Sequence, residues 1–170
     1  MSSKIRAVAF FLVVAGMGAA LTVLYLAGYK TVQAEIVIDA SPKAVWAVLM
    51  DASSYEQWHP VINPISGPFE IGKTIPYRMK SPGGEVSEVE SRVVGLDRWK
   101  FLNQYGGVPL VLTFNHEFKL EPVEGGTRVI QREEYRGIAV PFWNPDWVEQ
   151  GYMRANEGLK AEVARRLKAQ

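Results

Sequence analysis

The sequence predicts an α+β fold: an antiparallel sheet of about six or seven strands carrying one long carboxy-terminal helix, preceded by an apolar helix of transmembrane length. Three observations predict it. Alternating strand patterns follow one another between Thr74 and Tyr135 with only short turns between them, which implies antiparallel pairing. Apolar residues at three- and four-residue intervals then run from Val148 to Leu167. Finally, no charged residue occurs from Ala7 to Tyr29.

The apolar run comes first in the chain. As a helix rising about 1.5 Å per residue it is roughly 34 Å long, enough to cross the hydrocarbon of a bilayer. It is a membrane segment or a signal peptide. Signal peptides have shorter apolar cores, about 7 to 15 residues, although Val32-Gln33-Ala34 would suit a peptidase that wants small residues before its cut. The length favours a retained anchor, with membrane contact through residues 7–29 and a globular domain over residues 31–170. Lys4, Arg6 and the free amino terminus precede the run and only Lys30 closely follows it. The positive-inside rule then puts the domain on the extracytoplasmic side of a single-pass protein, the alternatives being a cytoplasmic-facing domain or secretion after cleavage near Ala34. Ala15/Ala19 and Gly16/Ala20 match a helix-pairing pattern, but small residues only permit such contact and the match is read as coincidence.

In the globular part, Ala34, Ile36, Ile38 and Ala40 alternate with polar positions as a half-buried strand requires. Ser41 as cap and Pro42 in the first turn start a helix with Val45, Trp46, Val48 and Leu49 as its stripe. Ser53 with Glu56 forms the pattern of a capping box for a second short helix that carries Tyr55 and Trp58 and stops before Pro60. Strands are expected near Phe69–Ile71, Thr74–Lys80, Val86–Leu96 and Trp99–Tyr105, separated by Gly and Pro turns. Ile75, Tyr77 and Met79 share a face, as do Ser87, Val89, Ser91 and Val93, and then Trp99, Phe101 and Asn103. Asn144 as cap and Pro145 begin the long helix, whose inner stripe is Val148, Tyr152, Ala155, Leu159, Val163 and Leu167 and whose outer side carries Glu149, Arg154, Lys160, Glu162 and Arg165.

The last two strands, joined at Pro122 to Gly126, carry the functional signal. Leu112, Phe114, His116, Phe118 and Leu120 share one face, and the charged face of Arg128, Arg132, Glu134 and Arg136 turns Thr127, Val129, Gln131, Glu133 and Tyr135 inward. An unpaired buried polar group costs about 1 to 3 kcal/mol, so inward His, Gln and Glu imply a cavity. His116 and Glu133 are the candidate general acid and base; hydrogen bonding to a ligand and a purely structural pair are the competing readings. Trp58, Tyr77, Trp99, Phe101, Phe114, His116, Gln131, Glu133 and Tyr152 are the candidate ligand-binding residues, with Trp46 a further aromatic and about half of these aromatics expected to be plain core. Phe142-Trp143 and Trp147 would guard the mouth or dip into a headgroup region. His59, beside Pro60, reads as an exposed turn residue.

Several classes are excluded. The absence of cysteine removes thiol chemistry and disulfides, and two distant histidines make no zinc site, so no metal is expected. Gly16-Met17-Gly18 follows no strand and lacks a third glycine, and no serine-nucleophile elbow occurs, so no cofactor is expected either. Past Lys30 there are 16 basic and 18 acidic residues with both signs interspersed, which makes nucleic acid an unsuitable partner.

Ile36-Val37-Ile38-Asp39-Ala40-Ser41-Pro42 with Val45-Trp46, then Tyr55, Trp58 and Pro60, then His116, Phe118, Leu120, Pro122, Gly125-Gly126-Thr127-Arg128, Gln131, Glu133 and Gly137 resemble, in order and spacing, the START/Bet v 1-like helix-grip superfamily. More narrowly the chain resembles the polyketide cyclase/dehydrase-type SRPBCC proteins. The resemblance implies a curved sheet gripping the long helix, with a cavity between them for a small hydrophobic, lipid-like or polycyclic molecule, and binding or transport more often than catalysis. The expected function is membrane-tethered binding of such a molecule. The alternatives are a cyclase or dehydratase using His116 and Glu133, and a membrane-proximal interaction module whose interior is filled, with no pocket above roughly 300 Å³.

Overall fold

The computed structural model describes residues 3–169, so the charged amino terminus counted above lies outside the described residues. The elements are α1 (Ser3–Ala27), β1 (Tyr29–Ile38), α2 (Pro42–Leu49), α3 (Tyr55–Trp58), β2 (Ile62–Pro64), β3 (Thr74–Lys80), β4 (Val86–Asp97), β5 (Phe101–Val108), β6 (Leu112–Val123), β7 (Gly126–Arg136) and α4 (Asp146–Lys168). Seven strands form one curled antiparallel sheet in the order β1-β7-β6-β5-β4-β3-β2. The first strand therefore pairs with the last, and α2 and α3 carry the chain from one sheet edge to the other. α4 lies against β1, α2 and α3, in the grip of the curled sheet.

Local chemistry explains most boundaries. Ser41 Oγ accepts from Ala44 N at 3.3 Å, and Pro42 opens α2. Gly125 and Gly126, with φ of 85° and 140°, close the β6–β7 turn, where a side chain on Gly126 would collide with Ile38 O. Asn144 Oδ1 accepts from Asp146 N at 3.0 Å, so the expected capping residue acts, although α4 begins one residue later with Pro145 at the cap.

Five expectations are corrected. β1 starts at Tyr29 and not near Ala34, because β7 extends far enough to pair Tyr29–Gln33 with Arg136–Arg132. Only Gly28 separates α1 from the sheet. There is no strand at Phe69–Ile71: Phe69 is a buried plug against Tyr55, with ring centroids 5.9 Å apart, and β2 at Ile62–Pro64 supplies the edge instead. The capping box does not form, since Ser53 Oγ donates to Asp51 Oδ1 at 2.5 Å and a 3-10 turn precedes α3. Leu167 is exposed, while Glu162 is buried, its charge taken up by Arg165 and Arg166 at 2.7 Å. His59, finally, is buried, for a reason given below.

The core is divided along the strands. Ile38, Val93, Leu102, Phe118, Leu120 and Val129 meet Leu49, Leu159 and Val163 in a solid cluster at the β6–β7 turn end. A second, smaller cluster of Val32, Ala34, Tyr135, Val140, Val148 and Tyr152 sits toward the α1 end. The interior is solid at the end away from the apolar helix and open at the end beside it.

Candidate functional site

A cavity of about 620 Å³ occupies that open end, between the inner face of the sheet and the first turns of α4. Strand alternation fills it from the sheet side: Tyr77 and Met79 from β3, Ser91 from β4, Gln104 from β5, Phe114 and His116 from β6, Glu133 and Tyr135 from β7. Tyr152, Val148 and Trp147 of α4, with Trp143 before it, close the other side. Room is made where β5 carries Gly106 and Gly107: a Cβ on Gly106 would lie 2.5 Å from Phe114 Cζ. The wall is mostly apolar, with a few convergent polar groups, as ligand cavities generally are.

Those polar groups form three buried clusters. Tyr152 donates to Glu133 Oε2 at 2.5 Å and Tyr135 donates to the same oxygen. Burial pushes the Glu133 carboxyl up to about 7, and the two tyrosine hydrogen bonds only partly offset it. Gln104 Nε2 donates to Tyr77 Oη at 2.5 Å and to Ser91 Oγ at 3.1 Å. Gln131 Nε2 and His116 Nε2 lie 3.0 Å apart, and burial pushes the imidazole down to about 4, so it is neutral at physiological pH. With the amide donating, His116 carries its proton on Nδ1.

Against known proteins, residues 30–167 match the family described as polyketide cyclase/dehydrase and lipid transport. The chain belongs to this family. No curated protein matches the sequence. Among solved structures, a protein from Chromobacterium violaceum is 17% identical with a TM-score of 0.64, over 78% of this chain and 96% of that one. A protein from Arthrobacter aurescens is 22% identical with a TM-score of 0.64, over 83% and 88%. Ara h 8.0201 is 14% identical with a TM-score of 0.62, over 81% and 99%. At these identities the likeness is one of fold, and the fold is the Bet v 1-like one.

Of the residues picked from sequence, the family fold brings Tyr77, Phe114, His116, Glu133 and Tyr152 to the cavity. Gln131 stands behind His116, within hydrogen-bond distance of its ring but off the cavity wall. Trp58, like Trp46, belongs to the solid core, and its Nε1 donates to Ser54 Oγ at 3.2 Å. Trp99 and Phe101 face away. Trp99 lies in the β4–β5 turn at a φ of 68°, exposed, with the Arg98 guanidinium 4.6 Å from its ring, and the inner positions of β5, in regular register with β6, are Leu102 and Gln104. Aromatic character suggested the wrong phase there. His116 and Glu133 do sit opposite one another in the β6–β7 register, yet each hydrogen-bonds elsewhere.

The sequence puts Ser91 on one face with Val89 and Val93 without marking it as a site residue, and it marks neither Gln104 nor Tyr135; all three line the cavity. Tyr135 and Glu133 are two residues apart on the inner face of β7 and meet within that strand, whereas Tyr152 reaches the same carboxyl only because α4 packs over it. His59 was misplaced for a comparable reason. Its Nδ1 accepts from Val61 N at 3.3 Å and Ile62 N at 3.1 Å, its ring stacks 5.9 Å from Tyr55, and burial holds it neutral with its pKa lowered to about 3. It turns the chain from α3 into β2, and no feature of Trp58-His59-Pro60 announces that.

Proposed function

We propose that this protein is a membrane-tethered container for a small, largely apolar molecule that carries a hydroxyl, carbonyl or carboxyl group. The observation that carries the reading is the cavity of about 620 Å³, mostly apolar, with Glu133, Tyr135 and Tyr152 converging as one of its polar clusters. It exceeds the roughly 300 Å³ below which the interior would count as filled, which weighs against the interaction-module alternative. The tyrosine-bound carboxyl is half protonated near neutrality, so it offers a ligand either a donor or an acceptor without a fixed charge in an apolar room.

Retention of the anchor is supported by β1. α1 is long and apolar enough to cross a membrane. A cut after Ala34 would remove Tyr29–Ala34, which pair with β7, and with them the buried Val32 and Ala34. Lys4 and Arg6 in the first turns of α1, ahead of its apolar run, favour the domain lying outside the cytoplasm.

The test is extraction of the full chain, purified in lipid nanodiscs, followed by mass spectrometry of the organic phase. Wild-type protein carries a recurrent apolar compound at up to one per chain, and Val148→Trp, which projects an indole into the cavity, loses it. If wild-type and variant yield the same bulk lipid and nothing more, the container reading fails.

A second reading, proton transfer on a polyketide-like substrate, is favoured by the Glu133 carboxyl at about 7, the value a general acid or base needs. It shifts the catalytic weight from His116 to Glu133. On any substrate found, Glu133→Gln abolishes turnover while leaving binding intact; turnover that survives Glu133→Gln refutes it.

A further inference from the structure

The sheet register sets where the cavity opens relative to the membrane helix. Tyr29 pairs with Arg136, Arg136 with Thr113, and Gly107 with Thr113, so the first residue of β1 lies three strand spacings, about 15 Å, from the end of β5. Beyond that rung the chain is stitched together. Gly137 N donates to Gly28 O at 3.0 Å, Ile138 N to Leu110 O at 2.9 Å, and Ala139 N to Val111 O at 3.0 Å. Gly28, the residue that follows α1, is therefore in one hydrogen-bonded patch with the β5–β6 turn.

That patch is apolar and exposed. Val108, Leu110 and Val111 in the turn are 60%, 67% and 44% exposed, and Phe142, just before α4, is 78% exposed. Val108 and Val111 also line the cavity, together with the half-buried Trp143 and Trp147. Leu110 is held at a φ of 67°, a left-handed conformation that Gly or Asn would adopt at lower cost. A large apolar residue kept exposed at a strained turn tip has no folding rationale, and such outliers point to function. Around the patch stand Tyr29, with the Arg136 guanidinium 4.6 Å over its ring, and Lys30, which donates to Trp143 O. Aromatic and basic residues at this level are what an interface between lipid and water selects.

We infer that this end of the sheet rests on the bilayer that α1 enters, with Val108, Leu110, Val111 and Phe142 inserted at headgroup depth and the cavity opening directly onto lipid. The partner is the lipid surface itself. A bilayer fits better than a second protein because the one-residue link at Gly28 holds the patch beside the end of a membrane-length helix whatever else is present. The cargo then passes between lipid and cavity without crossing water, and the polar cluster around Glu133 lies deeper inside than the mouth. The inference rests on the tethered-container reading and adds an orientation to it.

The chain has no cysteine, so single cysteines can be placed and labelled with bimane in the full-length protein. Leu110→Cys and Phe142→Cys report on the patch, and Glu124→Cys, at the opposite end of β6, serves as control. The protein is reconstituted into phosphatidylcholine vesicles with or without brominated acyl chains, after flotation has confirmed that it stays with the vesicles. The expected result is loss of most emission from positions 110 and 142 in brominated vesicles, and none from 124. If the protein floats but all three labels are equally open to iodide, the orientation is overturned while the container stands. Labels at 110 and 142 that are shielded from iodide yet unaffected by brominated lipid mean a protein covers the patch, and also overturn it. Failure to float removes the tether, and with it both readings.

Discussion

At the scale of single residues, His59 shows how much a buried imidazole can do outside any active site. Val61 and Ile62 turn their N–H groups into the protein, and Nδ1 is their acceptor. His59→Phe fills the space but leaves two buried donors unmatched, at about 1 to 3 kcal/mol each. The expected outcome is a clear drop in the urea midpoint of the full chain in micelles, partly restored in His59→Asn, whose Oδ1 can stand in for Nδ1. An unchanged midpoint in His59→Phe would show that the two amides find other partners. The contrast with His116 is instructive, since both are buried and neutral, but only His116 faces the cavity. Strand alternation gave His116 its inward place from sequence alone, whereas His59 lies on a bend, where no period applies.

At the scale of elements, the approach of α4 to α3 depends on a glycine. A Cβ on Gly158 would lie 2.2 Å from Trp58 O, a backbone atom with no freedom to yield. Two effects compete in Gly158→Ala. Alanine favours the helix by up to about 1 kcal/mol, while overpacking against backbone costs about 1 to 3 kcal/mol, so the clash wins and net stability falls. Gly151→Ala meets only the Val61 side chain, at 2.4 Å from its Cγ2, and is expected to be milder. Comparing the two urea midpoints checks the order; a more stable Gly158→Ala would mean that α4 can slide. The stripe of α4 was readable from its spacing except at the ends. Leu167 lies beyond the sheet, and Glu162 turns inward because Arg165 and Arg166 neutralise it.

At the scale of the whole molecule, buried titratable groups shape the response to pH. His59 and His116 have folded pKa values of about 3 and 4, below their ordinary 6.5, so their contribution to stability is complete above 6.5 and is lost as pH falls through those values. Glu133 has the opposite sign. Its folded value of about 7 lies above 4.5, so its contribution is complete below 4.5 and is lost as pH rises through 7. Between 4.5 and 6.5 two histidines outweigh one carboxyl, and stability rises with pH to a maximum near neutrality. Thermal midpoints of the full chain from pH 4 to 8 check this, with Glu133→Gln expected to steepen the rise between 4.5 and 6.5 and to remove the fall from 6.5 to about 7. A maximum near pH 5 would contradict the assignment.

The fold was largely legible because it is built from periodic signals: alternation placed the β3, β6 and β7 faces, and three- and four-residue spacing placed α4. The inward polar set on β6 and β7 followed from the same alternation, since one charged face forces its complement inside. Errors gathered where periodicity lapses, at the β4–β5 turn where Trp99 takes a φ of 68° and leaves the strand pattern, at the bend of His59, and in the unseen first half of β1. Those positions depend on partners distant in sequence. Local pattern records which side of an element is apolar, but the pairing of β1 with β7, the meeting of Tyr152 with Glu133, and the division of the interior into a solid and a hollow end arise from how curled strands and a helix pack, and no stretch of chain carries that information by itself.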